Sequence, residues 1–494
     1  MNQLPTILEA AARIRGGDLT PVELVEDCLA RIARRDGAIR AWVDVDADAA
    51  RRLARQRADE AAAGQWRGPL HGIPLGVKDA FDVAGWPTRA GSPLRAEHRA
   101  EVDAPVVAAL RRAGAILLGK TVTVEFACFD PSPTRNPWSP TLRHTPGGSS
   151  SGSAAAVALG MCLGAIGTQT GGSLVRPAGY CGVATLKPTF GRLSTDGVVP
   201  VSHHLDHVGP MGRRVADLHV LFECMRAAVP QLVSAVSTGQ PAVAPPGRSA
   251  APGSVGIPAG ESSPANDWTV PKLRPLKCPP RVGVIDGMFD RECDAAVGAV
   301  SRQALERLRA AGADLPLVDF PEQLDLILRM HRTIMAAEAA VYHRRWFPAR
   351  RADYGPKIAS LLDEGLALPA VDYAEALAWQ RAWACRVDAM FEHGPWSGAD
   401  VLAMPSTDTP APPTLETTGT PKFQALWSMA GVPVVSLPCG LSDDGMPVGL
   451  QLIGRRGDER QLLSVAAWCE SALGFDAAPP EPPDSSRAHR TAAL

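Results

Sequence analysis

Apolar residues recur at helical spacing early in the chain, where Leu24, Cys28, Leu29 and Ile32 fall on one face. The segment opens with Thr20-Pro21-Val22-Glu23. Thr20 can accept from a first-turn amide, Pro21 has no N–H to lose there, and Glu23 can reach back to the Thr20 amide, which is a capping box. A second helix is predicted from Asp103 through PVVAALRRA to Gly114, followed by a short apolar strand at 115–118. The pattern returns where RVGVI (281–285) precedes a helical stretch from Asp294 to about Gly312. Helices alternating with short apolar strands, punctuated by glycine, are the rhythm of an α/β protein. The small-residue run AAAVALGMC (154–162) reads as a further helix.

Two segments break the rhythm. Residues 230–266 hold seven Pro, five Gly and six Ser and no aromatic residue. Such a segment buries too little apolar surface to offset its ordering entropy, so a flexible excursion is expected. The tail 478–494 is expected to be disordered for the same reason.

Composition narrows the partners. With 50 basic and 52 acidic side chains the formal net charge is −2, which gives no electrostatic reason for a nucleic-acid or membrane partner. No apolar run reaches the ~18 residues that span a bilayer. The start of the chain lacks the pattern of a secretion signal. The ten cysteines contain no C-x-x-C pair, and Cys28, Cys162 and Cys469 sit in apolar runs as small buried hydrophobes. A reducing cytoplasm is the expected setting.

Three motif matches fail on context. Gly114–Thr121, GAILLGKT, fits the phosphate-loop pattern, but its four intervening residues are themselves the predicted strand, so no amide cradle is left. Gly148-Ser149-Ser150-Ser151-Gly152 fits the nucleophile elbow around Ser150, yet a loop precedes it in place of the required strand. An α/β-hydrolase-type esterase using Ser150 stays as an alternative. His203, His204 and His207 lie in a loop-like stretch without zincin spacing, and no metal site is expected.

The chemistry concentrates in residues 147–188. A Gly/Ser-rich loop leads into the small-residue helix, and a second turn follows at Gly167-Thr168-Gln169-Thr170-Gly171-Gly172-Ser173. Glycines at 171 and 172 permit close backbone approach to a ligand, and several N–H groups can converge there. A serine at the end of such a turn can attack a carbonyl while those amides receive the oxyanion. A tight turn in a small-residue core fits the same residues.

This stretch resembles the amidase signature family, serine hydrolases with a Lys–Ser–Ser triad. Other family-like segments are GPLHGIPLGVKD (68–79), GAILLGKT (114–121), TRNPW (134–138), LKPTFGRLS (186–194), LDHVGPMGRRVADL (205–218), AGVPVVSLPCG (430–440) and GMPVGLQLIG (445–454). The likeness runs over roughly residues 5–475. It implies one large α/β domain over 1–477, with a central mixed, twisted β-sheet covered by helices on both sides. Core motifs would lie in 68–218 and 430–470, and a variable substrate-pocket region at about 315–425. Trp379, Trp383 and Trp396 there fit either an acyl pocket or the core.

Carried over residue by residue, the resemblance makes Ser173 the nucleophile and Lys78 the general base. Ser149, which follows a cis peptide bond in that family, relays the proton, and the amides of Thr170, Gly171, Gly172 and Ser173 form the oxyanion hole. A serine hydroxyl needs a base, and lysine serves only when burial keeps it neutral. Asp79, on the other face of an extended segment, need not pair with Lys78. The chain departs from the family in two places. Gln169 stands where an aspartate is usual, and the usual arginine position holds Val175, with Arg176 next. Arg176 fits either a salt bridge to a substrate anion or a structural role. The implied activity is a stand-alone amidohydrolase of small-molecule amides, carbamates or urea-like compounds, monomeric or homodimeric, with no metal or organic cofactor. The glutamine-amidase subunit of a tRNA-dependent amidotransferase and a catalytically silent binding module are the other readings.

Overall fold

Thr20 opens the helix Pro21–Ile39 in a computed structural model that describes residues 4–227, 272–320 and 322–482. The Glu23 amide donates to Thr20 Oγ1 (3.1 Å) and the Thr20 amide to Glu23 Oε2 (2.8 Å), the predicted capping box. Leu24, Cys28, Leu29 and Ile32 are all buried. Asp294 likewise caps the helix Ala295–Ala310. The helix predicted from Asp103 starts later, at Pro105, because the Asp103 carboxylate accepts from the Ala84 amide instead (2.7 Å). The small-residue helix is shifted to Ser151–Ala158, and the chain turns at Gly160 (φ +63°) into the next strand.

Eleven strands form one mixed sheet: β1 (Trp42–Val45), β2 (Pro74–Lys78), β3 (Ile116–Thr121), β4 (Gly164–Gln169), β5 (Ala184–Lys187), β6 (His207–Gly212), β7 (Val282–Ile285), β8 (Leu317–Val318), β9 (Val401–Pro405), β10 (Val434–Leu441) and β11 (Pro447–Ile453). Their order across the sheet is β1-β3-β2-β4-β6-β5-β10-β11-β9-β7-β8. β2 runs parallel to β3 and β4, and β7 to β8 and β9, while every other neighbour is antiparallel. Every residue of β2 to β7, β9 and β11 is buried. Strands buried at every position have both faces covered. The covering helices include Ser151–Ala158, Val175–Cys181, Val215–Arg226, Ala295–Ala310 and Glu459–Leu473, and one apolar core runs from Leu4 to Leu473. The single α/β domain with a central mixed sheet is therefore as expected.

The excursion 230–266 lies outside the described residues, as do residues 483–494 of the tail. The tail's described part runs from Ala478 to Pro482. Glu481 Oε2 accepts from Arg35 Nε (3.1 Å), supplying an anion to a largely buried guanidinium. Trp383 and Trp396 pack with Phe320 and Trp427 in the core, and Trp379 stacks on Trp383. Of their two possible roles, core packing is the one found. Among the described residues no helix is long and apolar enough to cross a membrane.

Candidate active site

β2 and β4 lie side by side and parallel, with Val77 opposite Ile166, so their carboxyl ends deliver Lys78 and Thr168 to one place. Ligand sites in open α/β sheets collect at such strand ends. Lys78 is fully buried, and its Nζ donates to Ser149 Oγ (2.7 Å) and Thr168 Oγ1 (2.6 Å). Burial lowers this amine from 10.5 to about 7, against a smaller opposing pull from the Asp206 carboxylate. Asp79, the next residue, points away and accepts from Lys120 Nζ (2.8 Å) in a fully buried ion pair. Lys120 is the lysine of the GAILLGKT match. Gly119 and Lys120 lie inside β3, so the segment is strand and not a phosphate loop.

Ser149 precedes the helix Ser151–Ala158, and the peptide bond between Gly148 and Ser149 is cis. Its segment is fastened to the glycine-rich turn by the Ser150 amide, which donates to the Ser173 carbonyl (3.3 Å). Ser149 and Ser173 line one cavity of about 410 Å³. Ser150 does not line it. That serine is fully buried, and its hydroxyl is shared between the Thr168 carbonyl and amide, both at 3.3 Å.

All four backbone carbonyls of the turn from Thr170 to Ser173 accept hydrogen bonds. Thr170 O accepts from His331 Nε2 (3.1 Å), Gly171 O from Ser428 Oγ (3.0 Å), Gly172 O from the Arg176 amide (2.9 Å), and Ser173 O from Ser150. Among the described residues none of the four amides of this turn donates to a protein acceptor. The next two amides, Leu174 and Val175, are instead capped by Gln169 Oε1 at 2.9 and 3.0 Å, and Gln169 Nε2 donates to Ser428 Oγ (3.1 Å). Gln169 thus supplies the acceptor an aspartate would and adds a donor that ties the turn to the helix Ala425–Ala430. Gly172 sits against the Gln424 side chain, whose Oε1 would have to shift to admit a Cβ at 2.6 Å.

A model of the family described as Amidase matches residues 23–463, most of the chain. The chain belongs to the amidase family. A glutamyl-tRNA(Gln) amidotransferase subunit from Anaeromyxobacter sp. (strain K) is 35% identical to it, over 96% of this chain and 97% of the relative. A putative amidase, AmiD, from Mycobacterium bovis (strain ATCC BAA-935 / AF2122/97) is 33% identical, over 95% and 94%. The solved peptide amidase from Stenotrophomonas maltophilia superimposes with a TM-score of 0.77 at 30% identity, covering 96% of this chain and 98% of that one. Membership makes the chain a hydrolase of carbon–nitrogen bonds.

In this amidase Arg176 is buried, and its Nη2 donates to Gly148 O (2.7 Å) and Thr418 Oγ1 (3.3 Å), a backbone-holding use of the guanidinium beside the cavity that it also lines. Three residues that the sequence did not single out lie against Lys78 and the Thr170–Ser173 turn. Thr168 shares Lys78 with Ser149. Asp206 accepts from Thr170 Oγ1 (2.5 Å) and from the amides of Val201 and Ser202. His331, on the helix Leu324–His343, is buried against the turn, and burial lowers it to about 4, so it is neutral. The β4 register and the LDHVGPMG segment offered a signal for the first two. His331 lies 161 positions from its partner Thr170 and has no local signal. The three histidines near 205 go to different places. His203 is exposed, His204 pairs with Glu338, and His207 is buried in β6 with Nδ1 donating to Leu205 O.

Proposed function

We propose that this protein is a stand-alone amidohydrolase that cleaves a linear C–N bond through an acyl-enzyme on Ser173. The observation that carries the reading is a buried lysine whose Nζ meets two hydroxyls and no carboxylate. Thr168 Oγ1 takes one Lys78 N–H, which leaves the lone pair of the neutral amine free for Ser149. Lys78 then draws a proton from Ser149, and Ser149 in turn from Ser173, as a hydroxyl that donates and accepts at once. The Ser173 oxygen attacks the substrate carbonyl, whose developing oxyanion lies against the unengaged amides of Thr170, Gly171, Gly172 and Ser173. The proton returns through Ser149 to the leaving nitrogen, the C–N bond breaks, and water entering by the reverse relay releases the acid. The scheme draws on no metal or organic cofactor, and its substrate is a small-molecule amide, carbamate or urea-like compound.

The test is a panel of amides, anilides, carbamates and esters with the wild type and two variants. Ser173→Ala is expected to lower kcat at least 10³-fold and to abolish labelling by a fluorophosphonate, whereas Ser150→Ala keeps the label. A label mapped to Ser150 overturns the assignment. The glutamine-amidase reading draws on the 35% identical amidotransferase relatives. Ammonia release from glutamine that appears only on adding a partner protein would favour it.

A further inference from the structure

The imidazole of His331 is fixed in one tautomer by its neighbour. Thr170 O can only accept, so Nε2 carries the proton and Nδ1 carries the lone pair. His331 is 4% exposed and lines the cavity that holds Ser149 and Ser173. Among the described residues Nδ1 has no hydrogen-bond partner, and it is not one of the buried side-chain atoms cut off from solvent. The cavity wall on its side carries the apolar Phe129, Leu328 and Met335 together with the charged Asp325 and Arg332. A lone acceptor in such a wall loses its water when a ligand fills the cavity, and the complex is favoured only if the ligand returns a donor. The ring also lies directly over the turn, 3.4 Å from where a Cβ on Gly171 would stand. The nearest ring atom is Cε1, to which Nδ1 is bonded, so Nδ1 stands close to the turn.

We propose that His331 Nδ1 accepts an N–H of the bound substrate next to the reacting carbonyl. The amidase accordingly takes primary and N-monosubstituted amides, carbamates and ureas, and discriminates against esters and N,N-disubstituted amides. The proposal rests on the acyl-transfer reading of the same site and adds the substrate class to it. His331 plays two parts through its two nitrogens. Nε2–H positions the oxyanion turn for any acyl substrate, and Nδ1 reads only those with an N–H.

Substitutions separate the two parts. In His331→Gln the side-chain amide can still donate toward Thr170 O but offers nothing at the Nδ1 position. In His331→Asn an acceptor remains near Nδ1 and the donor to Thr170 O is lost. The probes are phenylacetamide, its N-methyl and N,N-dimethyl derivatives, and methyl phenylacetate, with kcat/KM as the readout. In His331→Gln the ratio of the phenylacetamide value to the ester value is expected to fall about 10- to 100-fold, the usual weight of one buried hydrogen bond. His331→Asn is expected to lower both together and keep their ratio. With the wild type, N,N-dimethylphenylacetamide is expected to be cleaved at least tenfold more slowly than the N-methyl compound. An unchanged amide-to-ester ratio in His331→Gln, equal wild-type rates on the two N-alkyl amides, or no turnover of phenylacetamide overturns the proposal. The wild-type series decides the matter even if His331→Gln does not fold. Retained turnover in Ser173→Ala would instead sink the acyl-enzyme reading and leave the amide preference to stand or fall on its own data.

Discussion

Replacing Lys78 with methionine tests the neutral base through stability as well as rate. The folded value of about 7 lies below the ordinary 10.5 of the unfolded chain. Between those values the unfolded chain holds a proton that the folded one has released, so wild-type stability rises with pH across the window and is flat below it. Each pH unit is worth about 1.4 kcal/mol, and the whole interval about 5 kcal/mol. Lys78→Met keeps an unbranched side chain in the same space without the titrating amine. Its lost hydrogen bonds to Ser149 and Thr168 cost about 1–3 kcal/mol, the same at every pH. The difference between variant and wild type should therefore move by about 3 kcal/mol between pH 7.5 and 9.5, the variant being relatively more stable at the lower pH. For a chain of 494 residues the unfolding entropy is about 1 kcal/mol per degree, so the Tm gap should change by about 3 °C. Thermal unfolding of both proteins at four pH values reads it directly, since every other group titrates alike in the two. In parallel, wild-type kcat/KM should climb through pH 7 as the ammonium deprotonates, and the variant should lose that limb with at least 10³-fold of the rate. A Tm gap that does not change with pH would refute the lowered amine and, with it, the general-base role.

Asp79→Asn should destabilise the fold by about 3–5 kcal/mol, because it strands Lys120 in a fully buried site, and the double variant with Lys120→Met should regain most of the loss. Unfolding midpoints in urea measure both, and a single-variant cost below 1 kcal/mol would contradict the pairing. Gln169→Leu should lower kcat about tenfold or more by uncapping the Leu174 and Val175 amides, and Gln169→Glu, which keeps an acceptor, should recover part of it. Equal rates in the glutamate and leucine variants would show that the cap does not hold the turn.

Local patterns decided a good deal about this protein. The Thr20 capping box, the apolar face of its helix and the strand around residue 116 depend on interactions within a few residues, so hydrophobic spacing and side-chain type suffice to read them. The same holds for the failed phosphate-loop match, where the strand character of AILL was already visible. The Gly/Ser turn and the buried environment of Lys78 were legible as chemistry, and the order of family-like segments gave the fold. What the chain could not reveal locally were partnerships across the sheet. Parallel neighbours β2 and β4 bring Lys78 to Thr168 over 90 positions, and the helix Leu324–His343 brings His331 to Thr170. The Asp103 carboxylate left its expected cap for the Ala84 amide, a competitor 19 residues away. Glu481 found Arg35 across most of the chain length because a largely buried guanidinium holds a carboxylate wherever the fold delivers one. Which groups are desolvated together is a property of packing, and it is this that lowers the amine of Lys78 to about 7 and leaves four amides of one turn without a protein acceptor among the described residues.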